Sequence, residues 1–210
     1  MRDSMFERLR ALSLAAVLVG SSFVVPRIPP RWRVPVQAGG SALLVLQTGS
    51  RIGLSPPRLW IGMRWGFSTG AAAATAIAAT APVPVVRLSM STRPLPQSVP
   101  SWLALRIPLG TVWAEEAAFR AALTTVAKRG FGESGGRLVQ GAAFGLSHIA
   151  DARATGEPVP ATVLVTGVAG WLFGWLADRS GSLAAPMLAH LAINETAAVA
   201  ALTIQRRSRS

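Results

Sequence analysis

The chain lacks cysteine and tyrosine, and only 14% of its 210 residues are charged. The absence of cysteine excludes disulfide frameworks, thiolate nucleophiles and cysteine-ligated zinc sites. Acidic residues are scarce, with nine Asp and Glu in total, and there are two histidines. Any catalytic chemistry must therefore use a small set of glutamate, histidine, asparagine, arginine, serine and threonine side chains.

The sequence is rich in long apolar stretches. Half of the residues are hydrophobic, and the charged fraction is well below the roughly 25% of soluble domains. Three uncharged stretches, 11–25, 66–86 and 158–177, approach or reach the about 20 residues that cross a bilayer. The sequence therefore predicts a multi-pass integral membrane protein embedded in a lipid bilayer, and its abundance of alanine and arginine favours a bacterial plasma membrane.

We predict an all-α, polytopic transmembrane helix bundle of about seven membrane segments (roughly six to eight), some of them short or re-entrant. The segments are 9–25, 35–49, 59–82, 101–127, 137–150, 159–177 and 183–204. Stretches rich in proline or glycine, such as 130–136, are predicted to be connecting loops. The first segment also resembles a signal peptide, but no small-x-small cleavage pattern precedes Pro26, which favours a retained helix.

The net charge of +12 would suit nucleic acid, but the arginines are spread between the apolar segments rather than gathered on one stripe. We interpret them as loop residues facing lipid headgroups and predict no nucleic-acid partner. Alternating assignment of the loop charges gives a tie between the two membrane sides, so the positive-inside rule yields no orientation. The sequence gives no oligomeric state.

Five ionisable residues fall inside the apolar segments: Glu115, Glu116, His148, His190 and Glu195. An ionisable side chain at membrane depth costs about 2.5 kcal/mol or more and indicates a functional site. Glu195 could equally reach the membrane surface, and we assign it no role.

In the stretch around Trp113, Glu116 and Arg120 are four residues apart and are predicted to pair on one helical face. Glu115 is rotated by about 100° and is therefore free for chemistry. The alternative is that all three charges form one structural cluster.

Two further pairs have the same four-residue spacing. Phe144 and His148 share a face near a helix end, where a histidine can also serve as a cap or packing residue. His190 and Asn194 project together from a later helix, although such a pair can also hold helices together. Taken together, these side chains supply a base, two imidazoles and a carboxamide donor, which suits hydrolysis by an activated water.

The three motifs, Glu115-Glu116-x-x-x-Arg120, Phe144-x-x-x-His148 and His190-x-x-x-Asn194, occur in this order on successive predicted helices. They resemble the CPBP family of intramembrane proteases, which includes the type II CAAX prenyl endopeptidases and bacterial relatives linked to bacteriocin immunity. The resemblance covers 101–203. We therefore divide the chain into N-terminal transmembrane helices (1–100), a helical catalytic core (101–204) and a basic tail (205–210).

The resemblance implies a role for each motif residue. Glu115 would activate water together with His148, and His190 with Asn194 would form the oxyanion site. Glu116 and Arg120 would support them, as would Phe144. The substrate would be a membrane-associated protein or peptide, and whether it is prenylated stays open.

The cofactor also stays open, because the family has been described both with and without a metal. The sequence allows either no cofactor or one divalent metal such as zinc, whose candidate ligands are Glu115, His148 and His190. Two other functions use the same residues: a proton-coupled transporter, and a non-enzymatic immunity or scaffold protein. The lack of internal repeats argues against the transporter.

Overall fold

The structure, a computed structural model, describes residues 2–208, with side chains from residue 4 onward. All regular secondary structure within this range is helical, which confirms the predicted all-α class. The α-helices are α1 (Arg2–Val24), α2 (Pro30–Thr48), α3 (Arg58–Thr80), α4 (Pro84–Thr92), α5 (Val99–Ser101), α6 (Thr124–Ser147), α7 (Ile149–Thr155), α8 (Val159–Ser180) and α9 (Ala184–Arg207). Two π-helical segments, π1 (Trp102–Trp113) and π2 (Glu116–Leu123), join α5 to α6.

Three helices in the described range are long and apolar enough to cross a membrane: Ser4–Arg27, α8 and α9. The pair α3 and α4 passes the same test jointly but is bent by 96°. All seven predicted segments lie on helical structure, and the polytopic helical bundle is confirmed. The predicted segment 59–82 differs in one respect, because α3 ends at Thr80 and the chain then turns sharply into α4.

The chain around the two glutamates is wound as π-helix, whose hydrogen bonds reach back five residues. Ala114 and Glu115 lie between π1 and π2, and Glu116 is the first residue of π2. The Ala114 amide donates to the carbonyl of Leu109, and the Thr124 amide donates to that of Phe119. Short π-helical segments are often found at functional sites. The Glu-Glu-Arg motif therefore lies in a locally underwound helix, not in the regular α-helix that the sequence suggested.

The connection predicted at 130–136 contains a break in α6: two helical arms meet at Gly132, where the chain reverses. Gly132 has φ 73° and ψ 179°, a combination that is essentially restricted to glycine. Beyond the reversal the two helical arms lie so close that a Cβ on Gly136 would be 2.7 Å from the Lys128 amide nitrogen. Gly132 is midway in sequence between Glu116 and His148, so the reversal returns the second motif to the level of the first.

The third motif is positioned by close packing of α9 against α3. A Cβ added at Gly66 would lie 2.7 Å from the Leu188 Cβ, and one at Gly70 would lie 3.1 Å from the Ala192 Cβ. The small residues let the two backbones approach as they commonly do in membrane helix pairs. His190 lies between these two contact points on α9.

Candidate active site

A cavity of about 630 Å³ opens between α1, α2, π1, α7 and α9. Four of the predicted site residues line it: Glu115, His148, His190 and Asn194. Residues from three separate parts of the sequence thus share one cavity. The two histidines do not lie on opposite outer faces, an arrangement that would have ruled out a shared site.

The two adjacent glutamates lie in different surroundings. Glu116 is completely buried, and its Oε2 atom is 3.2 Å from Nε of Arg120, whose side chain is also buried. This confirms the ion pair predicted from the four-residue spacing. Glu115 reaches the cavity with 26% of its side chain exposed, and its Oε2 atom has no hydrogen-bond partner in the described chain.

His190 lies between both carboxylates. Its Nδ1 atom is 2.8 Å from Glu116 Oε1, and its Nε2 atom is 3.8 Å from Glu115 Oε2. An ionised carboxylate can only accept a hydrogen bond, so Nδ1 carries a proton and the Nδ1–H group donates a hydrogen bond to Glu116 Oε1. The 3.8 Å separation between His190 Nε2 and Glu115 Oε2 is too long for a direct hydrogen bond but within ion-pair distance.

Aromatic rings enclose the buried ion pair and the imidazole. The guanidinium carbon of Arg120 lies 3.8 Å from the ring centroid of Phe144 and 5.1 Å from that of Phe173. Phe173 also stacks on His190, with centroids 5.2 Å apart and planes inclined by 29°. Phe144 was predicted as a supporting residue, whereas Phe173 belongs to no motif and was missed.

His148 has a defined tautomer at the end of α6. Its Nδ1 atom is 2.8 Å from the Phe144 carbonyl oxygen. A carbonyl only accepts, so Nδ1 is protonated, and in the neutral ring Nε2 is left as an acceptor. The ring of Phe144 meets both imidazoles, at 4.7 Å from His148 and 6.3 Å from His190.

Asn194 keeps donor capacity available at the cavity wall. Its Nδ2 atom donates one hydrogen bond to the His190 carbonyl oxygen, 3.1 Å away. A carboxamide has two N–H donors and a carbonyl acceptor. One N–H group and the oxygen are therefore available to a bound molecule.

Metal binding by Glu115, His148 and His190 stays a prediction. Glu115 Oε2 and His190 Nε2 are 3.8 Å apart, and the bond from Nδ1 of His148 to a backbone carbonyl leaves Nε2 of that ring as the nitrogen that could bind a metal. Among the side chains of residues 4–208, no group of three or more Asp, Glu, His or Cys is arranged to hold a metal ion. We therefore derive no catalytic step through a metal.

Several cavity residues could not be found from the motifs. Arg33, Arg93, Arg106 and Asp151 also line the wall, but in the sequence they look like ordinary loop or helix-end charges. Glu195, although buried at its Oε1 atom, is not among the described residues that line the cavity. Its role stays unassigned.

Comparison with known proteins agrees with the three motifs. Residues 97–196 match the family model described as "Type II CAAX prenyl endopeptidase Rce1-like", and this range contains every predicted site residue. Searches of curated proteins and of solved structures gave no match. The family match, over residues 97–196 or just under half of the chain, confirms the resemblance seen in the sequence to the type II CAAX prenyl endopeptidases.

Proposed function

We propose that the protein is an intramembrane endopeptidase that hydrolyses a peptide bond of a membrane-associated protein or peptide. The observation that carries the proposal is the convergence of Glu115, His148, His190 and Asn194 on one cavity. The family match supports the same reaction class. A bacterial plasma membrane would be the setting, as the composition favours.

Water activation is assigned to Glu115 and His148. Glu115 lines the cavity with 26% of its side chain exposed, and Nε2 of His148 is a hydrogen-bond acceptor in its neutral ring. Two acceptors can hold both hydrogens of one water and direct its lone pair outward. As the water attacks the carbonyl carbon, its proton passes to Glu115.

Stabilisation of the resulting oxyanion is assigned to Asn194 and His190. The free N–H group of Asn194 is one donor. His190 becomes a second donor when Nε2 is protonated, and the hydrogen bond from Nδ1 to Glu116 fixes the orientation of its ring. Donors held in place before the reaction stabilise developing charge without the cost of reorganising.

Collapse of the tetrahedral intermediate completes the reaction. The C–N bond breaks, and the protonated Glu115 gives its proton to the leaving amine. Glu116 and Arg120 do not touch the substrate in this scheme. They hold His190 at the angle that keeps Nε2 in the cavity.

The test is hydrolysis by a Glu115→Gln variant, with Glu157→Gln as a matched control at an exposed turn. Loss of the general base is expected to lower kcat by about 10²- to 10⁴-fold, while the control keeps full activity. Product formation from a membrane substrate, measured by mass spectrometry with and without a chelator, decides the outcome. Full cleavage by Glu115→Gln would refute the assignment, and loss of activity on chelation would show that a metal takes part.

A further inference from the structure

The cavity wall carries three arginines that the proposed reaction does not use: Arg33, Arg93 and Arg106. They come from the start of α2, the segment after α4, and π1. Other charged groups on the wall are the carboxylates of Glu115 and Asp151. With all five groups ionised, the wall keeps an excess of positive charge.

Arg33 is held in a fixed position. Its Nε atom donates to the Ile28 carbonyl oxygen at 2.8 Å, and its Nη2 atom donates to that of Pro26 at 2.7 Å. These bonds fix the guanidinium plane and leave Nη1 available. A group fixed in this way loses little side-chain entropy when it binds a ligand.

The position of Arg93 is also fixed, through its backbone. The buried side chain of Gln205 donates from Nε2 to the carbonyl oxygens of Met90 and Arg93, at 3.0 and 2.7 Å. Arg106 lies on the same continuous helical run as Glu115. Among the described residues, neither the Arg93 nor the Arg106 guanidinium has a hydrogen-bond or ion-pair partner.

We propose that Arg33, Arg93 and Arg106 form an anion subsite that binds a carboxylate of the substrate peptide. This inference rests on the proposed function, since it assumes a peptide substrate. The guanidinium fork matches a carboxylate in shape and forms strong charge-assisted hydrogen bonds. A carboxylate bound here would fix which peptide bond lies beside Glu115.

A peptide is favoured over a lipid headgroup by the surroundings of the three arginines. They share one cavity with Glu115, and polar side chains such as Gln37 and Thr111 contribute to its wall. A separate groove of about 540 Å³ between α6 and α8 has an almost entirely apolar wall, including Leu138, Leu164 and Trp171, and suits lipid chains better.

The experiment measures binding to the Glu115→Gln protein in neutral-lipid nanodiscs, so that hydrolysis cannot interfere. Four acylated hexapeptides serve as probes, in two matched pairs. The first pair is an alanine hexapeptide with a free carboxyl terminus and the same peptide as its C-terminal amide. The second pair is the amidated peptide with one alanine replaced by glutamate or by glutamine. Charge-assisted hydrogen bonds to a carboxylate are expected to make at least one acidic probe bind about 10- to 100-fold more tightly than its uncharged partner. The probe that shows the preference identifies the carboxylate as terminal or as a side chain.

Arg93→Gln and Arg106→Gln are then combined in the same background, with Arg87→Gln on α4 as control. Arg87 is exposed and lies outside the cavity lining. The double variant is expected to bind acidic and uncharged probes equally, whereas the control keeps the preference. Circular dichroism shows whether both variants fold.

Two results would overturn the subsite. One is equal binding of acidic and uncharged probes by the Glu115→Gln protein. The other is an affinity that follows the anionic lipid content of the nanodisc and not the probe's carboxylate, which would assign the arginines to lipid headgroups. If the Glu115→Gln protein binds acidic probes selectively but the unmodified protein cleaves none of them, the anion subsite stands and only the proposed endopeptidase function is contradicted.

Discussion

Glu115 and Glu116 are neighbours in sequence but lie in different environments, one lining the cavity and the other fully buried. Glu116 is fully buried, and its charge is balanced by Arg120 and by the hydrogen bond from His190. Glu115 keeps part of its side chain exposed in the cavity, and its Oε2 atom makes no hydrogen bond within the described chain. A buried charge needs fixed partners, whereas a general base needs access to water, so one carboxylate cannot serve both purposes.

This division predicts different effects of the two neutral substitutions on stability. Glu116→Gln leaves the Arg120 guanidinium buried without a counter-charge, which is expected to cost about 3–5 kcal/mol of unfolding free energy. Glu115→Gln is expected to leave stability nearly unchanged. Thermal unfolding in detergent measures both variants.

A double variant separates the structural role of Glu116 from its role in positioning His190. Glu116→Gln with Arg120→Met removes both buried charges and should recover much of the lost stability. It should not recover kcat, because His190 still lacks its ionised acceptor. If the double variant regains full activity along with its stability, Glu116 has no positioning role.

At the scale of elements, the reversal at Gly132 determines which residues meet. The arms on its two sides are antiparallel, with Phe119 and Phe144 in edge contact at a centroid distance of 5.2 Å. The Arg8 side chain donates to the Gly130 carbonyl oxygen at 2.9 Å, which ties α1 to the same turn. The turn therefore sets the level of His148 relative to Glu115, although it lies far from both.

Gly132→Ala tests this turn through the backbone alone. Nothing lies within 4 Å of a Cβ added there, so no clash occurs, but the φ/ψ pair is costly for alanine by about 1–3 kcal/mol. We expect a lower melting temperature and reduced activity. Gly39→Ala, at an equally open position within α2, is the control and should be neutral or slightly stabilising. An unchanged melting temperature for Gly132→Ala would contradict the assigned backbone conformation.

At the scale of the whole molecule, local features were predictable from the sequence and long-range ones were not. The helical class follows from apolar length, and the Glu116–Arg120 pair follows from spacing within one helix. The shared cavity of Glu115, His148 and His190 depends on helix packing that no periodicity encodes, and only the family resemblance suggested it. Phe173 and the cavity arginines were missed because a phenylalanine in an apolar helix, or an arginine in a loop, is ordinary in a membrane protein.

The packing of the bundle predicts which ends of its helices lie on the same side of the membrane, independently of catalysis. Gly130 lies beside Arg8 near the start of α1, whereas α7 and the far end of α1 line the cavity. The turn at Gly132 and the helix α7 should therefore face opposite sides of the membrane. The loop charges do not decide which membrane side each faces, but the Gly132 turn and α7 should lie on opposite sides in either orientation.

The absence of cysteine allows this to be measured without background. Ser134→Cys and Thr155→Cys place single thiols at exposed positions beside the Gly132 turn and at the end of α7. A membrane-impermeant maleimide added to sealed, uniformly oriented vesicles is expected to label one of the two, and permeabilised vesicles should allow labelling of both. Labelling of both thiols in sealed vesicles would mean that the two turns share a side, and the cavity would then have to open toward the side that carries the Gly132 turn.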